Sequence, residues 1–329
     1  MKPSQKPNDA QQTKTVSSGG TAILRRRKKR ASAKDDITLH IMAFPGLLAL
    51  ALFAYWPMFG LVLAFKRYNV AQGILGSDWI GLKNFEFLFA STDAWRITRN
   101  TICYNAVFIV LNMFLAVLMA LLLNEMHSRR LAKVLQTIYI MPYFLSMTAV
   151  ALIVYAFLSP TNGLLNNILN SLGMESHSWY QETTWWPLFF VVISAWKSVG
   201  YNTIVYLASI AGISTEYYEA AMLDGANKWQ QAKYITIPEL KAMITILLIM
   251  AVGGIFRGDF GMFYSVTRNS GPLYPVTDVI DTYIYRAMAV LNNQGMATAA
   301  GFFQSLVGFV LVMVTNKIVS KIEPDNALF

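Results

Sequence analysis

The chain has 329 residues, of which 55% are hydrophobic and only 14% are charged, and its net charge is +9. Soluble domains usually carry about 25% charged residues, so this composition excludes an ordinary soluble domain and indicates an integral membrane protein. The single cysteine, Cys103, excludes an intramolecular disulfide and offers no second thiol for a metal site.

Residues 1–36 are predicted to form a disordered, basic cytoplasmic tail. They are rich in Gln, Ser, Lys, Gly and Pro and contain almost no large apolar residues, so they cannot bury a core. The run RRRKKR at 25–30 has two interpretations. It is either a patch that binds nucleic acid or lipid headgroups, or a charge cluster that keeps the tail in the cytoplasm. We favour the second interpretation and expect no nucleic-acid partner.

Residues 37–329 are predicted to form an all-α integral membrane domain, because about 20 apolar residues are needed to cross a bilayer. Six stretches meet this length requirement or come close to it. The predicted spans cover residues 37–65, 101–123, 135–158, 186–211, 242–256 and 297–314. The segment 257–296 between the last two is too long for a plain hairpin, and residues 279–291 within it are predicted to form a helix.

The basic residues predict the orientation of these spans. With the N-terminus inside, the tail, the 125–134 and 213–241 loops and the C-terminal residues hold 18 of the 27 Lys and Arg residues. The segments on the other side hold 8. Cytoplasmic loops carry an excess of Lys and Arg, so both termini are predicted to be cytoplasmic. The remaining basic residue, Lys197, falls inside a predicted span.

The segment Glu219–Pro238 is the longest polar stretch between two strongly apolar segments. Ser214 and Thr215 can cap a short helix, and Glu216 suits the positive end of its dipole. Gly225 can adopt the left-handed conformation that ends a helix. The sequence therefore predicts a short helix, a break at Gly225 and a second short helix that stops at Pro238, a residue that is tolerated in the first turn of the helix that follows. This element would lie on the cytoplasmic face, where a second protein can bind it.

Lys197 lies in the stretch AWKSVGYNT within the fourth predicted span. A charge inside a membrane is costly unless it faces a cavity or reaches the interface. One interpretation is a sugar path, in which Trp196 and Tyr201 stack on pyranose rings while Lys197 and Asn202 bond their hydroxyls. In the other, Lys197 extends to the outer interface, and Trp196 and Tyr201 pack against neighbouring helices. The sequence leaves both open.

Arg257 and Asp259 follow the fifth predicted span. They are predicted to line an outer gate, with a plain surface ion pair as the alternative.

Several kinds of chemistry are missing from the sequence. It contains no Gly-x-x-x-x-Gly-Lys-Ser/Thr phosphate-binding loop, so the chain is not expected to hydrolyse ATP. His40, His127 and His177 fall on different segments and predict no metal site. There is no Gly-x-Ser-x-Gly motif, which argues against an intramembrane enzyme. The predicted spans contain no Asp or Glu, which argues against an ion-coupled secondary transporter. That transporter class remains the alternative function.

The polar segment also carries a resemblance to a known family. It resembles the "EAA" signature of permease subunits in binding-protein-dependent ABC importers. The matching residues are Glu219, Ala220, Ala221, Asp224, Gly225, Ile235 and Pro238. Further stretches are similar to one branch of sugar permeases, which accompanies importers of polysaccharide fragments such as aldouronate, rhamnogalacturonan or alginate oligosaccharides. These stretches are YWPMFGLVLAFKRYN, GLKNF, RNT, ALLLNEM, MPYFLS and KIEPDNALF.

The resemblance implies a function and a set of partners. The chain would be a multi-pass permease subunit in a bacterial cytoplasmic membrane and would form half of the translocation path for an oligosaccharide. Its partners would be a second permease subunit in a heterodimer, two ATPase subunits that bind ATP and magnesium, and an extracellular substrate-binding protein. The helix around Glu219 would be the coupling helix, seated in a groove of the ATPase. Glu219, Ala220, Ala221, Asp224 and Gly225 would make or shape that contact. The chain itself would hold no cofactor.

Overall fold

The computed structural model of the chain describes residues 33–322, 324 and 327. The predicted tail up to residue 32 lies outside the described residues, whereas residues 33–36, also assigned to that tail, begin the first helix. The chain divides into two compact units, Met1–Pro57 and Met58–Phe329.

The described part of the first unit is helical. Helix α1 covers Ala33–Leu50 and continues into a π-helical turn at Ala51–Tyr55. A 3-10 helical stretch, Trp56–Phe65, crosses the boundary between the units. The run Leu39–Phe65 is long and apolar enough to cross a membrane. Residues 39–59 are exposed throughout, as expected for a helix whose apolar side chains meet lipid rather than water.

The second unit holds the remaining helices and one small sheet. Its α-helices are α2 Gly73–Gly76, α3 Glu86–Ala90, α4 Thr92–Glu125, α5 Arg129–Ile140, α6 Met147–Leu158, α7 Leu164–Ser171, α8 Trp186–Ile210, α9 Thr215–Leu223, α10 Lys228–Gln231, α11 Ile237–Gly253, α12 Tyr274–Thr277, α13 Ile280–Ala289 and α14 Gln294–Ile322. Shorter 3-10 segments cover Gly81–Phe85, Met141–Phe144 and Gly271–Leu273, and π-helical turns cover Ala232–Thr236 and Gly261–Val266. Strands β1 (Lys66–Arg67) and β2 (Asp78–Trp79) pair antiparallel, with Lys66 opposite Trp79.

Five helical runs of the described chain are long and apolar enough to cross a membrane. They are Leu39–Phe65, Thr92–Glu125, Trp186–Ile210, Lys228–Gly253 and Gln294–Lys321. A sixth is obtained if Arg129–Phe144 and α6 are counted as one span, although the two are bent by 99°. We call these two helices the bent pair, and residues 141–147, where the first half ends and α6 begins, the bend. The prediction of a mostly helical membrane protein is confirmed, with six spans when the bent pair counts as one.

Several helices are longer than the apolar stretches predicted. Helix α4 begins at Thr92 because the Ser91 hydroxyl accepts a hydrogen bond from the Ala94 N–H (3.0 Å) and so caps the helix. The second short helix of the polar segment does not stop at Pro238, as the sequence had suggested. A π-helical turn carries it into α11, where Pro238 lies in the first turn. Proline is tolerated in that position because its missing N–H would have no partner in the first turn of an α-helix.

The core of the second unit has two parts. One is an aromatic cluster that joins α4, α6, α8 and the 261–266 turn, and Phe190 lies 4.4 Å from Phe263 between ring centroids. The other lies nearer to α9, where Ala116 and Ala120 of α4 meet Tyr206 of α8. Small residues let two helices approach closely, and α4 packs along α8 over much of its length. This pair is the frame on which the sites below are built.

Candidate functional site

Helix α9 is closed at both ends by local hydrogen bonds. The Ser214 hydroxyl accepts from the Glu216 N–H (3.3 Å) at its start. At its end, the Ala226 N–H donates to the Ala221 carbonyl (2.9 Å) and the Gly225 N–H to the Met222 carbonyl (3.1 Å). This is a Schellman termination, and it requires the positive φ of +80° that Gly225 adopts. The helix break therefore lies at the glycine that the sequence indicated.

The chain restarts as helix immediately after this turn. The Asn227 side chain accepts from the Gln230 N–H (2.9 Å), and the Gln230 side chain accepts from the Asn227 N–H (2.8 Å). These reciprocal bonds form a capping box. The buried Gln231 side chain, in the helix that follows the turn, donates to the Ala226 carbonyl (3.0 Å). The turn at residues 224–227 is thus held from both sides by side chains of its own segment.

Two further contacts attach this segment to the spans. The Tyr218 hydroxyl lies 2.9 Å from the Thr236 hydroxyl, which joins α9 to the helical run that becomes α11. The Lys228 ammonium lies 3.2 Å from the Glu125 carboxylate at the end of α4. The second pair is largely exposed, so it contributes less than about 1 kcal/mol to stability. The hydroxyl contact and the chain connections to α8 and α11 therefore join α9 to the spans.

The outer face of α9 is turned away from the protein. Glu219, Ala220, Asp224 and Gly225 are exposed, and Ala221 is half-buried. Within the described part of the chain, Glu219 makes neither a hydrogen bond nor an ion pair. Large apolar side chains share this surface, and the exposed fraction of Leu223 is 90%. Exposed apolar residues that cluster around polar ones are typical of an interaction surface.

A cavity of about 520 Å³ lies beside α9 and is lined by charges of both signs. It is bounded by the end of α4, the start of α5 and the inner face of α9. Its lining residues include Glu125, His127, Arg129, Tyr218, Met222, Lys228 and Gln231. The site thus combines an exposed helix with a charged recess.

A second cavity, of about 240 Å³, lies among α4, α8 and α11. Its polar lining consists of Asn112, Ser198, Asn202 and Tyr206, and the remainder is apolar. The Asn112 amide donates to the Ser194 hydroxyl (3.0 Å), while its carbonyl oxygen is buried and has no hydrogen-bond partner among the described residues. Amides and hydroxyls in an apolar cavity suit a ligand that both donates and accepts hydrogen bonds.

Of the four path residues predicted from the sequence, only Asn202 lines this polar cavity. Trp196 lines two apolar cavities on another side of α8. Lys197 donates from its ammonium to the carbonyls of Pro142 (3.4 Å), Tyr143 (3.1 Å) and Leu145 (2.5 Å). Tyr201 stacks on Tyr143, with ring centroids 4.5 Å apart. Neither interpretation of the sequence included these carbonyls, which precede Lys197 by more than fifty residues.

Arg257 and Asp259 both lie next to the 261–266 turn but do not form an ion pair with each other among the described residues. The Asp259 carboxylate accepts from the Met262 N–H (3.0 Å) and so caps that turn. The Arg257 carbonyl accepts from the Asn105 amide of α4 (2.9 Å). The structure therefore uses Asp259 and the backbone of Arg257 to fix this segment.

A buried charge cluster, which no local sequence pattern indicates, lies at the end of the spans opposite α9. The Asp278 side chain is only 1% exposed and binds Arg96 of α4 (3.1 Å), Arg286 of α13 and the Thr282 hydroxyl (2.9 Å). Charge-assisted hydrogen bonds of this kind are what make a buried carboxylate tolerable. Asp278 and Arg96 are 182 residues apart in the chain, so no local pattern indicates the pair.

Asp281 is a second acid at this end. Its carboxylate accepts from the Gly258 N–H (2.6 Å) and from the Gln304 amide of α14 (3.1 Å). Burial raises the pKa of the Asp281 carboxyl, and the two hydrogen bonds oppose that shift. In the part of the chain that the structure describes, no group of three or more His, Cys, Asp or Glu side chains is arranged to hold a metal ion.

Comparisons with known proteins agree on one family. The family model described as "Binding-protein-dependent transport system inner membrane component" matches residues 112–324. Protein LplB of Bacillus subtilis (strain 168) is 32% identical over 296 residues, which cover 90% of this chain and 92% of LplB. The polygalacturonan/rhamnogalacturonan transport system permease protein YteP of the same organism is 33% identical over 283 residues, covering 86% of this chain and 88% of YteP.

A solved structure is similar in fold and in sequence. One chain of a bacterial alginate ABC transporter, crystallised in complex with an alginate pentasaccharide-bound periplasmic protein, superposes with a TM-score of 0.79 at 34% identity. The match covers 88% of this chain and 96% of that one.

Proposed function

The chain belongs to the family of binding-protein-dependent transport system inner membrane components, and we propose that it forms half of the translocation path of an ATP-driven oligosaccharide importer. It is a multi-pass protein of the inner membrane. The observation that carries the proposal is α9, an exposed, capped helix whose acid Glu219 has no partner within the described chain. The family match favours ATP-driven import over ion-coupled transport.

Helix α9 is the proposed coupling helix, which docks on one of two separate ATPase subunits that bind ATP and magnesium. Glu219 supplies a charged contact, and Ala220 and Ala221 allow close approach of the partner. Asp224 and Gly225 form the turn that ends the helix. Support comes from the exposure of this face and from the rigidity of the turn beneath it.

The proposed orientation places both termini and α9 in the cytoplasm. The excess of Lys and Arg in the tail, in the loops at the α9 end and in the C-terminal residues supports this orientation. The opposite end, which contains Asp278 and Asp281, then faces the extracellular side. An extracellular substrate-binding protein would dock there, and Arg257 and Asp259 remain the proposed outer gate.

The proposed path runs past the polar cavity of α4, α8 and α11. Asn202, together with Asn112, Ser198 and Tyr206, would bond sugar hydroxyls from this chain. The other wall is assigned to a second permease subunit, with which this chain forms a heterodimer. Trp196 and Tyr201 are half exposed on α8 and remain proposed lining residues. ATP binding would close the two ATPases, move α9 and alternate the side on which the path is open.

The proposed substrates are fragments of polysaccharides, including acidic ones. The support comes from the similar proteins: YteP is named for polygalacturonan and rhamnogalacturonan transport, and the similar solved structure is an alginate transporter.

Purification of the tagged chain from its native membrane in a mild detergent, followed by mass spectrometry, tests this proposal. We expect an ATPase and a second permease of similar length to purify with it. A chain that purifies alone and supports uptake driven by an ion gradient without ATP would establish the ion-coupled alternative instead.

A further inference from the structure

The bend in the third span leaves backbone carbonyls that need donors. The 3-10 turn Met141–Phe144 ends the first half of the bent pair, and α6 begins at Met147 in a different direction. The carbonyls at the end of a helix have no partner within it. The Leu145 N–H bonds to the Pro142 carbonyl (3.2 Å), whereas no backbone N–H of the described chain bonds to the carbonyls of Tyr143 and Leu145. In a membrane each unsatisfied group costs several kcal/mol.

Lys197 of α8 supplies the missing donors. Its ammonium carries three hydrogens and no acceptor, and it lies within 3.4 Å of three carbonyl oxygens at the bend. Since all three donors face the backbone, none is left over for a sugar.

Two more contacts lie on the same face of α8, one turn further on. Tyr201 stacks on Tyr143 with the rings nearly parallel, 13° apart. Gly200 touches the last turn of α5, since a Cβ atom at this position would lie 1.9 Å from the Tyr139 carbonyl oxygen. One turn of α8 is thus attached to the bend by an ammonium and a ring, and to the end of α5 by a backbone contact.

The bend in turn touches the segment near the proposed outer gate. Helix α6 packs against the 261–266 turn. A Cβ at Gly261 would lie 2.6 Å from the Cβ of Met147, the first residue of α6. Asp259 caps this turn. At its other end, α8 runs through residues 211–214 directly into α9. A continuous series of contacts therefore leads from α9 through Lys197 and the bend to the segment of Asp259.

We propose that Lys197 is a positioning residue of the import cycle: its ammonium fixes the bend to α8, so that a displacement of α9 moves the bend and the outer segment together. The inference rests on the proposed coupling role of α9. It assigns Lys197 to the transmission of movement and not to substrate binding. An acidic sugar would not compete for its donors.

The test uses the whole importer in proteoliposomes with its binding protein, and compares Lys197→Met, Lys197→Arg and the matched control Lys317→Met. Lys317 lies exposed on α14, and its replacement should leave uptake unchanged. Lys197→Met should lower the maximal uptake rate about tenfold or more, because three charged hydrogen bonds are lost. ATP hydrolysis should continue, and the half-saturating concentration of the sugar-loaded binding protein should stay unchanged. Lys197→Arg should recover part of the uptake, because its guanidinium also donates to carbonyls.

If the importer that contains Lys197→Met does not assemble, a second measurement tests the inference by chemical labelling at the bend. In a Cys103→Ser background, the maleimide reactivity of Leu145→Cys should change when ATP is added. With Lys197→Gln, which retains an uncharged donor, this ATP response should shrink.

Normal uptake by Lys197→Met would overturn the inference. A raised half-saturating concentration for acidic sugars alone would overturn it as well, because that result identifies a substrate ligand. An unmutated complex that lacks an ATPase would instead refute the proposed function.

Discussion

At the scale of single residues, Gly225 is the position where sequence and conformation are most tightly linked. Its φ of +80° lies in the left-handed region, and a Cβ added there would meet no atom within 4 Å. The constraint is therefore conformational and not steric. For a residue with a side chain, this backbone conformation costs about 1–2 kcal/mol of conformational energy, and the cost is smaller for Asn than for most residues.

Replacement of Gly225 should separate ATP hydrolysis from transport. Gly225→Val and Gly225→Pro should distort the turn beneath α9 and lower the sugar imported per ATP hydrolysed, while Gly225→Asn should retain most of it. Uptake and hydrolysis measured together in proteoliposomes check this prediction. Gly173 is a matched control, because it has a similar φ of +76° and open space around it but lies in the loop after α7. If Gly173→Val uncouples transport equally, the effect is not specific to α9.

Asp281 gives a prediction about pH. Its pKa is raised in the folded protein, chiefly by burial, so its protonated form favours folding and the contribution is lost as the pH rises through the raised pKa. Asp281→Asn should therefore unfold at a higher temperature than the unmutated chain at neutral pH. The amide oxygen can still accept from Gly258 and Gln304. The difference should vanish below the ordinary pKa of an aspartate, as measured by thermal unfolding in detergent across pH. A variant that is less stable at neutral pH would show that the ionised form is favoured instead.

At the scale of elements, the Asp278 cluster is the charged part of the contact between α12, α13 and α4, beside the hydrogen bonds of Asn100 and Thr101. Asp278→Asn would leave the guanidinium of Arg286 without its anion and Arg96 with the exposed Asp93 alone, and removal of one partner of a buried ion pair costs about 3–5 kcal/mol. Thermal unfolding of the purified complex should show a clear drop. The matched control is Asp93→Asn, because Asp93 also binds Arg96 (2.9 Å) but is 49% exposed, and its loss should cost less than about 1 kcal/mol. Equal effects would mean that burial of Asp278 is not what makes the pair strong.

The elements also show how far the sequence could predict this fold. The break at Gly225 was predictable because glycine is the residue that a left-handed helix end favours. The position of Pro238 in the first turn of the next helix was also predictable, but the π-helical turn that joins the two helices without a stop was not. The sequence places the charge of Lys197 within a span, but it does not predict the partners of that charge. They are backbone carbonyls, which every residue has, so no residue type indicates them. Likewise, the Asp278 cluster depends on the packing of α13 against α4.

At the scale of the whole molecule, the described second unit has a different chemical character at each end of its spans. One end presents α9, with an exposed acid and a large apolar side chain, next to a charged cavity. At the other end, the buried Asp278 binds α4 and the half-buried Asp281 binds α14, so both acids hold this end of the structure together. An importer needs a mobile contact with its energy source and an ordered surface toward its binding protein. The proposed orientation assigns these two needs to the two ends.

The most direct test of the account is a site-specific photo-crosslink from α9 in the native membrane. The crosslinking amino acid replaces Leu223, which is 90% exposed on α9, or, as a control, Leu82, which is 68% exposed in the 81–85 turn. We predict a covalent adduct with the ATPase from position 223 and none from position 82. Adducts with the ATPase from position 82 but not from position 223 would contradict both the coupling role of α9 and the proposed orientation.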